Sequence, residues 1–121
     1  MISFKILKAK GIVIIEPSGA LKETDFDKLT NEIDAYISDK GYVNGIIIHT
    51  RDFPGWENYG AFTHHMKFIK DHHKKIKRVA AVTDSKFMTI APMIATHSVS
   101  AEVKHFDYAD MDVAKKWIQE L

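Results

Sequence analysis

The sequence predicts an α/β fold in which a mixed five-stranded sheet is packed against a layer of helices. Two observations lead to this prediction. Short apolar runs typical of buried strands recur along the chain, and segments with helical periodicity separate the later ones. The first two runs are close enough to form an antiparallel hairpin. The predicted order is β-β-α-β-α-β-α-β-α, with right-handed crossovers between the parallel strands.

The hairpin and the first helix come first along the chain. Residues 3–8 and 11–17 are predicted strands, separated by a turn that ends at Gly11, and the segment from Pro17 to Gly19 ends the second strand. We expect Thr24 to cap the first helix and Gly41 to end it. The apolar residues of this helix recur at helical spacing: Phe26, Leu29, Ile33, Tyr36 and Ile37.

The next segments along the chain are predicted to form the centre of the sheet and the helix beside it. Residues 43–49 are apolar on both faces, which predicts a strand in the middle of a covered sheet. The next segment predicts a helix with one apolar stripe, formed by Tyr59, Phe62, Met66, Ile69 and Ile76. The fourth strand is predicted over residues 78–82. It is short and buried.

The last third of the chain begins with an apolar segment over residues 84–97. Pro92 removes a backbone donor there, so we expect a kinked helix or two short turns. The fifth strand is predicted over residues 101–106. A final helix starts near Asp110 and directs four apolar side chains inward: Val113, Trp117, Ile118 and Leu121.

Length and composition set outer bounds on function. The 121 residues fit one domain, 1–121, and the absence of cysteine excludes disulfides and thiolate chemistry. A net charge of only +1 argues against a nucleic-acid binder. The longest apolar run near the start, Ile12 to Ile15, is too short for a signal or membrane segment. We therefore expect a cytoplasmic protein without membrane insertion.

Four stretches, read in order, resemble the SpoIIAA-like group: GIVIIEPSGAL, VNGIIIHTRDF, RVAAVTD and AEVKHFDYADMDVAKKWI. This group shares its fold with the STAS domains of anti-sigma-factor antagonists and sulfate-transporter tails. The resemblance covers nearly the whole chain and is closest to the small stand-alone bacterial members without an assigned biochemical activity. It includes a terminal pattern of five residues: Phe106, Ala109, Ala114, Trp117 and Ile118.

The chain departs from the regulatory members of that group at one position. Their loop after the third strand carries a phosphorylatable serine or threonine that opens the next helix. No serine or threonine occurs here between Arg51 and Phe62. The resemblance therefore does not extend to the serine phospho-switch or to the sigma-factor pathway.

The same loop is the best candidate for a binding site. Loops beyond the carboxyl ends of parallel strands meet at one edge of a sheet, so we expect the loop after strand three to lie beside residues 83–88. Tryptophan and tyrosine suit the anchoring of a partner or ligand. The alternative is that these aromatic rings only seal the core. The candidate residues are Arg51, Phe53, Trp56, Tyr59, Lys86, Phe87 and Met88.

Metal and catalytic motifs are weak in this sequence. His65 and His72 share a helix face but lie about 10 Å apart along its axis, too far to bind one ion. We expect His72 and His73 to interact with the C-terminal helix dipole instead. No nucleophile elbow, phosphate-binding loop or dinucleotide fingerprint is present. Ser85 after Asp84 is typical of a helix cap. The sequence implies no metal and no cofactor.

Two functional hypotheses remain open. The first is a non-enzymatic binding or regulatory module that engages a protein partner or a small apolar or amphipathic ligand through the aromatic loop. The second is a small anion-binding protein or enzyme that holds a phosphate or carboxylate with Arg51, Lys86 and helix N-termini. The apolar segment around Phe87 and Met88 also predicts a homodimer, because large apolar patches mark interfaces.

Overall fold

The structure, a computed structural model, describes residues 2–51, 60, 64, 67–68, 71–84 and 102–120. Its strands form one five-stranded sheet in the order β1-β2-β3-β4-β5. The β1–β2 pair is antiparallel and the remaining pairs are parallel. This confirms the predicted mixed sheet with its initial hairpin. The strands are β1 (Ile2–Leu7), β2 (Ile12–Pro17), β3 (Val43–His49), β4 (Ile76–Val82) and β5 (Glu102–Phe106).

The turn of the hairpin is tied to the start of β3. Gly11 has φ +68° and donates its N–H to the carbonyl of Leu7 at 2.9 Å. The Asn44 side-chain amide donates to the carbonyl of Lys10 at 2.9 Å. A Cβ atom at Gly11 would lie 2.8 Å from Asn44 Nδ2, so both the backbone angle and this close approach favour glycine here.

The first helix, α1 (Glu23–Lys40), begins two residues earlier than expected. The prediction that Thr24 is its cap was wrong, because the cap position is Lys22, whose N–H donates to the Asp25 carboxylate at 2.8 Å. This carboxylate satisfies a backbone donor and also lies at the positive end of the helix dipole. The predicted end at Gly41 is confirmed, since Gly41 has φ +90° and donates to the carbonyl of Ile37.

Helices cover both faces of the sheet, as the apolar character of residues 43–49 on both faces predicted. On one face, Phe26, Leu29 and Ile33 of α1 pack in a core cluster with Val13 and Ile15 of β2. The alternate β2 residues belong to the cluster on the opposite face, formed with the last helix. Alternation of side chains along a strand explains why β2 and its neighbours are apolar on both sides. The second cluster contains Ile12, Ile14, Ile47, Ala80, Val82, Phe106, Ala114, Trp117 and Ile118.

The last helix, α2 (Met111–Gln119), starts directly after Asp110, as predicted. Ala114, Trp117 and Ile118 are buried, whereas Val113 is 53% exposed, so the inward placement of Val113 was wrong. Each residue turns a helix by about 100°, which places Val113 to one side of the stripe centred near Ala114. Leu121 lies outside the described part of the chain.

The connection between β3 and β4 contains helical residues at 60, 64, 67–68 and 71–72 and then a short 3-10 helix, His73–Lys75. Ile76 was wrongly assigned to the helix stripe: it is the first residue of β4, where it pairs with Val43. Phe68, which the predicted stripe did not include, is buried, and its ring centroid lies 6.4 Å from that of Phe26. The other predicted stripe residues, and the segment predicted to kink at Pro92, fall among the residues that are not described.

Candidate functional site

Polar and aromatic side chains from four strand ends meet at the carboxyl edge of the parallel strands. Glu16 lies at the end of β2 and His49 at the end of β3, while Arg51, Asp84 and Tyr108 follow β3, β4 and β5. We call these five residues the carboxyl-end cluster. Neighbouring parallel strands end side by side, so residues far apart in sequence come into contact here.

Arg51 contacts Asp84, Tyr108 and Thr83. Its Nη1 atom lies 3.3 Å from Asp84 Oδ2, and its Cζ atom lies 4.5 Å from the centroid of the Tyr108 ring. Its carbonyl accepts hydrogen bonds from Thr83 Oγ1 at 2.9 Å and from the N–H of Asp84 at 3.1 Å. The predicted contact between the loops that follow β3 and β4 is present at these residues.

Tyr108 joins this arrangement from the end of β5. Its ring stacks on His49 with a centroid distance of 4.2 Å and an angle of 12°. Its N–H donates to Asp84 Oδ1 at 3.2 Å. His49 Nδ1 in turn lies 3.2 Å from Glu16 Oε2. The Asp84 carboxylate thus binds both Arg51 and the backbone of Tyr108, which fixes three neighbouring segments to one another.

The charged ends of the cluster face solvent. The Arg51 side chain is 72% exposed, and the Glu16 and Asp84 side chains are about half exposed, whereas His49 is mostly covered. Exposed ion pairs contribute little to stability, typically about 0 to 1 kcal/mol. These contacts therefore orient Arg51 and Tyr108 far more than they hold the fold together.

Of the seven candidate residues predicted from sequence, Arg51 is in the described part of the chain. The others lie outside it: Phe53, Trp56, Tyr59, Lys86, Phe87 and Met88. The sequence analysis did not assign His49, Tyr108 or Glu16 to the site. The available signal was their position at a strand end, since His49 and Arg51 are two residues apart at the end of β3 and Tyr108 follows β5.

His72 and His105 lie outside the carboxyl-end cluster and make other contacts. His105 Nε2 lies 3.0 Å from the Thr83 carbonyl. His72 contacts the carbonyl of Phe68, a helix-end interaction of the kind expected, and it also reaches Asp34 on α1.

Among the described residues, no three histidine, aspartate or glutamate side chains are grouped as metal ligands. Within the same residues, no helix is both long and apolar enough to span a membrane.

Comparison with known proteins gives a family and a fold. A family model described as SpoIIAA-like matches residues 12–119. A similar solved structure is an uncharacterised protein of the DUF3478 family with a SpoIIAA-like fold from Shewanella loihica PV-4. It has 21% sequence identity and a TM-score of 0.71, over 98% of this chain and 92% of that chain. No curated protein matches this chain.

Proposed function

This chain belongs to the SpoIIAA-like family, and from that premise we propose that it is a non-enzymatic binding module that engages a protein partner. The proposed contact surface combines the carboxyl-end cluster with the aromatic loop that begins after Arg51. Phe53, Trp56 and Tyr59 belong to it by sequence position, and Lys86, Phe87 and Met88 belong to it through the loop after β4.

The observation that supports this proposal most strongly is that Arg51 is exposed and yet held in one orientation. Its side chain is largely exposed, yet the Tyr108 ring and the Asp84 carboxylate hold it in place. A side chain ordered before binding loses less conformational entropy when a partner arrives. Arginine, tyrosine and tryptophan are also the residues enriched at the energetic centres of protein interfaces. An ordered exposed arginine beside an aromatic loop therefore suits a protein contact.

The same contacts argue against the anion-binding alternative with Arg51 and Lys86. The Asp84 carboxylate lies 3.3 Å from Arg51 Nη1, so it already offsets part of the positive charge with which Arg51 would attract a phosphate or carboxylate ligand. An incoming anion would be repelled by Asp84 or would have to displace it. A protein partner does not need to displace Asp84, because it can contact the exposed part of the guanidinium and the aromatic side chains together.

We further propose that binding is not controlled by a serine phospho-switch in this loop. The segment from Arg51 to Phe62 contains Tyr59 but neither serine nor threonine. A serine/threonine kinase from the same host should therefore leave the loop unmodified in phosphopeptide mapping. Modification of Thr83 or Ser85 linked to release of a partner would overturn this part of the proposal.

Photo-cross-linking in the native host tests the binding proposal. A photoreactive amino acid replaces Asp107, an exposed residue next to Tyr108, and in a second variant it replaces Asp39 near the end of α1. We expect a discrete protein adduct from position 107 and none from position 39. Adding Arg51→Ala should remove the adduct while leaving the circular dichroism spectrum unchanged.

Two outcomes would contradict the proposal. One is the same set of adducts from positions 107 and 39. The other is an adduct from position 107 that persists in the Arg51→Ala background. A native mass spectrum that showed a bound small molecule, together with no protein adduct from position 107, would replace the protein partner with a small amphipathic ligand.

A further inference from the structure

Exposed lysines and one exposed tyrosine lie together at the amino edge of the parallel strands, opposite the carboxyl-end cluster. Tyr42 directly precedes β3 and is 44% exposed, and the Lys77 Nζ atom lies 4.0 Å from the centroid of its ring. Lys74 and Lys75 directly precede the start of β4, which pairs with β3. Lys10 belongs to the hairpin turn, which is hydrogen-bonded to the first residues of β3. We call Tyr42 and these four lysines the amino-end patch.

The lysines of the amino-end patch keep their positive charge toward solvent. All four are exposed, and none of them forms an ion pair with a carboxylate in the part of the chain that the structure describes. Glu102 and Glu120 also lie at this edge, but both pair with Arg78. The patch therefore presents an exposed aromatic ring within a positively charged surface.

The opposite edge of the sheet carries the complementary charge. Asp107 and Asp110 are exposed in the turn between β5 and α2, beside the carboxyl-end cluster, and neither forms an ion pair with a described residue. Glu16 and Asp84 of the cluster are about half exposed. These four carboxylates together outweigh the positive charge of Arg51, so this surface is acidic.

The two surfaces of one chain cannot meet each other. They lie at opposite ends of the parallel strands, and the seven residues of β3 alone span about 20 Å at about 3.3 Å per residue. Contact between the amino-end patch and the acidic edge therefore requires two copies of the chain.

We propose that the amino-end patch of one copy docks on the acidic carboxyl edge of a second copy, so that the chain associates head to tail. Arginine and tyrosine are enriched at the energetic centres of interfaces, and Arg51 and Tyr42 are exposed on the two surfaces. Opposite charges across a contact steer association and fix its register. Because the two surfaces differ, association continues into open chains or closed rings. This inference rests on the proposed function and identifies its protein partner as a second copy of the chain.

Sedimentation velocity of the wild-type chain is the first test. At about 0.02 M salt we expect the sedimentation coefficient to rise with concentration, and at about 0.5 M salt we expect that rise to disappear, because salt screens exposed charges. A wild-type chain that stays monomeric at low salt and high micromolar concentration would overturn the proposal. Association that does not change with salt would overturn it too.

Charge reversal tests which surfaces meet. Lys74→Glu/Lys75→Glu reverses charge in the amino-end patch, and Asp107→Lys/Asp110→Lys reverses charge at the opposite edge. We expect each variant alone to associate at least about tenfold more weakly than wild type, because like charges then face each other. A mixture of the two variants should associate again, because each meets an edge of opposite charge on the other. Unchanged association of either variant alone, or no recovery in the mixture, would overturn the proposal.

Lys5→Glu/Lys28→Glu is the matched control. It changes the net charge as much as Lys74→Glu/Lys75→Glu does, but Lys5 and Lys28 are exposed within β1 and α1, between the two edges. We expect it to associate like wild type, and a loss equal to that of the patch variant would overturn the proposal. A variant whose circular dichroism spectrum differs from that of wild type is replaced by its neutral counterpart, with glutamine for lysine and asparagine for aspartate.

The cross-linking experiment separates this inference from the proposed function. An adduct from position 107 with twice the mass of the chain supports both. An adduct with a different protein, together with a monomeric wild type, overturns head-to-tail association and leaves the proposed function in place. No adduct together with a monomeric wild type contradicts both.

Discussion

Two arginines in this protein contact the same kinds of partner, an aromatic ring and a carboxylate, but differ greatly in solvent exposure. Arg51 lies 4.5 Å from the Tyr108 ring and 3.3 Å from Asp84, and Arg78 lies 4.7 Å from the Trp117 ring and 3.1 Å from Glu102. The Arg51 side chain is 72% exposed, whereas that of Arg78 is 15% exposed. The same combination of aromatic ring and carboxylate is thus used once at the surface and once against the core.

The difference shows how burial separates a structural arginine from one available to a partner. Arg78 on β4 donates to the carbonyl of Trp117 on α2 and pairs with Glu102 on β5. Its removal would take a charged donor from the partly buried carbonyl of Trp117, which would retain the N–H of Glu120 at 3.3 Å. Arg51 makes its contacts in solvent, where water replaces any lost partner. We therefore assign Arg78 to the fold, whereas the exposed Arg51 is the arginine on which the proposed binding function depends.

The largest expected loss of stability comes from removing Trp117, the buried ring that lies against Arg78. Trp117→Ala should lower the free energy of unfolding by about 3 to 5 kcal/mol, because it empties a buried aromatic site and removes the ring beneath Arg78. Urea denaturation measures the loss. Val113→Ala on the same helix is the control, since Val113 is exposed, and it should change stability by no more than about 0.5 kcal/mol.

Arg78→Ala should lower the free energy of unfolding by about 2 to 3 kcal/mol, the range for hydrogen bonds that involve a charged group. The loss should persist at high salt, because Arg78 is mostly covered by α2 and its neighbours. A loss below about 0.5 kcal/mol in urea denaturation would place Arg78 among the surface ion pairs and remove the contrast with Arg51.

Gly45→Ala tests how closely α2 approaches the sheet. A Cβ atom at this β3 position would lie 2.6 Å from Ile118 Cδ1, so the substitution should cost about 1 to 3 kcal/mol through overpacking. The same Cβ atom would lie 2.6 Å from Ile118 Cγ2 and 2.8 Å from Cγ1, so adding Ile118→Ala removes all three clashing atoms. The double variant should therefore be more stable than the sum of the two single losses predicts, and strict additivity in urea denaturation would contradict the close packing.

At the exposed end, Arg51→Ala should change the free energy of unfolding by no more than about 0.5 kcal/mol. Its effect should instead be the loss of the cross-linked partner described above. A destabilisation as large as that of Arg78→Ala would show that the carboxyl-end cluster holds the fold together. Equilibrium unfolding of the two alanine variants under the same conditions gives this comparison directly.

The sequence was a good guide to the sheet because strands leave a local signal. The apolar run from Val43 to His49 matches β3 at both ends. The start of β4 was placed two residues late, since Ile76 and Lys77 extend a lysine-rich helical pattern and gain strand geometry only by pairing with β3. The exposure of Val113 was missed because it lies at the margin of its helix stripe, where neighbouring elements decide burial.

The candidate site was only partly predictable. Loops meet at the carboxyl ends of parallel strands, and this rule correctly predicted that Asp84 lies near Arg51. The contacts of Tyr108 with His49 and Arg51 span more than fifty residues of sequence, and no local pattern marks them. They depend on β5 lying beside β4 and on the length of the segment after Phe106. Such contacts can be predicted only when the order of the strands in the sheet is known.

We propose that the aromatic loop after β3 is a contact surface and not a seal on the core. Urea denaturation of Trp56→Ala beside Trp117→Ala tests it most directly. We predict a loss of no more than about 1 kcal/mol for Trp56→Ala, as for a side chain outside the core, against about 3 to 5 kcal/mol for the buried Trp117. A loss for Trp56→Ala as large as that for Trp117→Ala would contradict the claim.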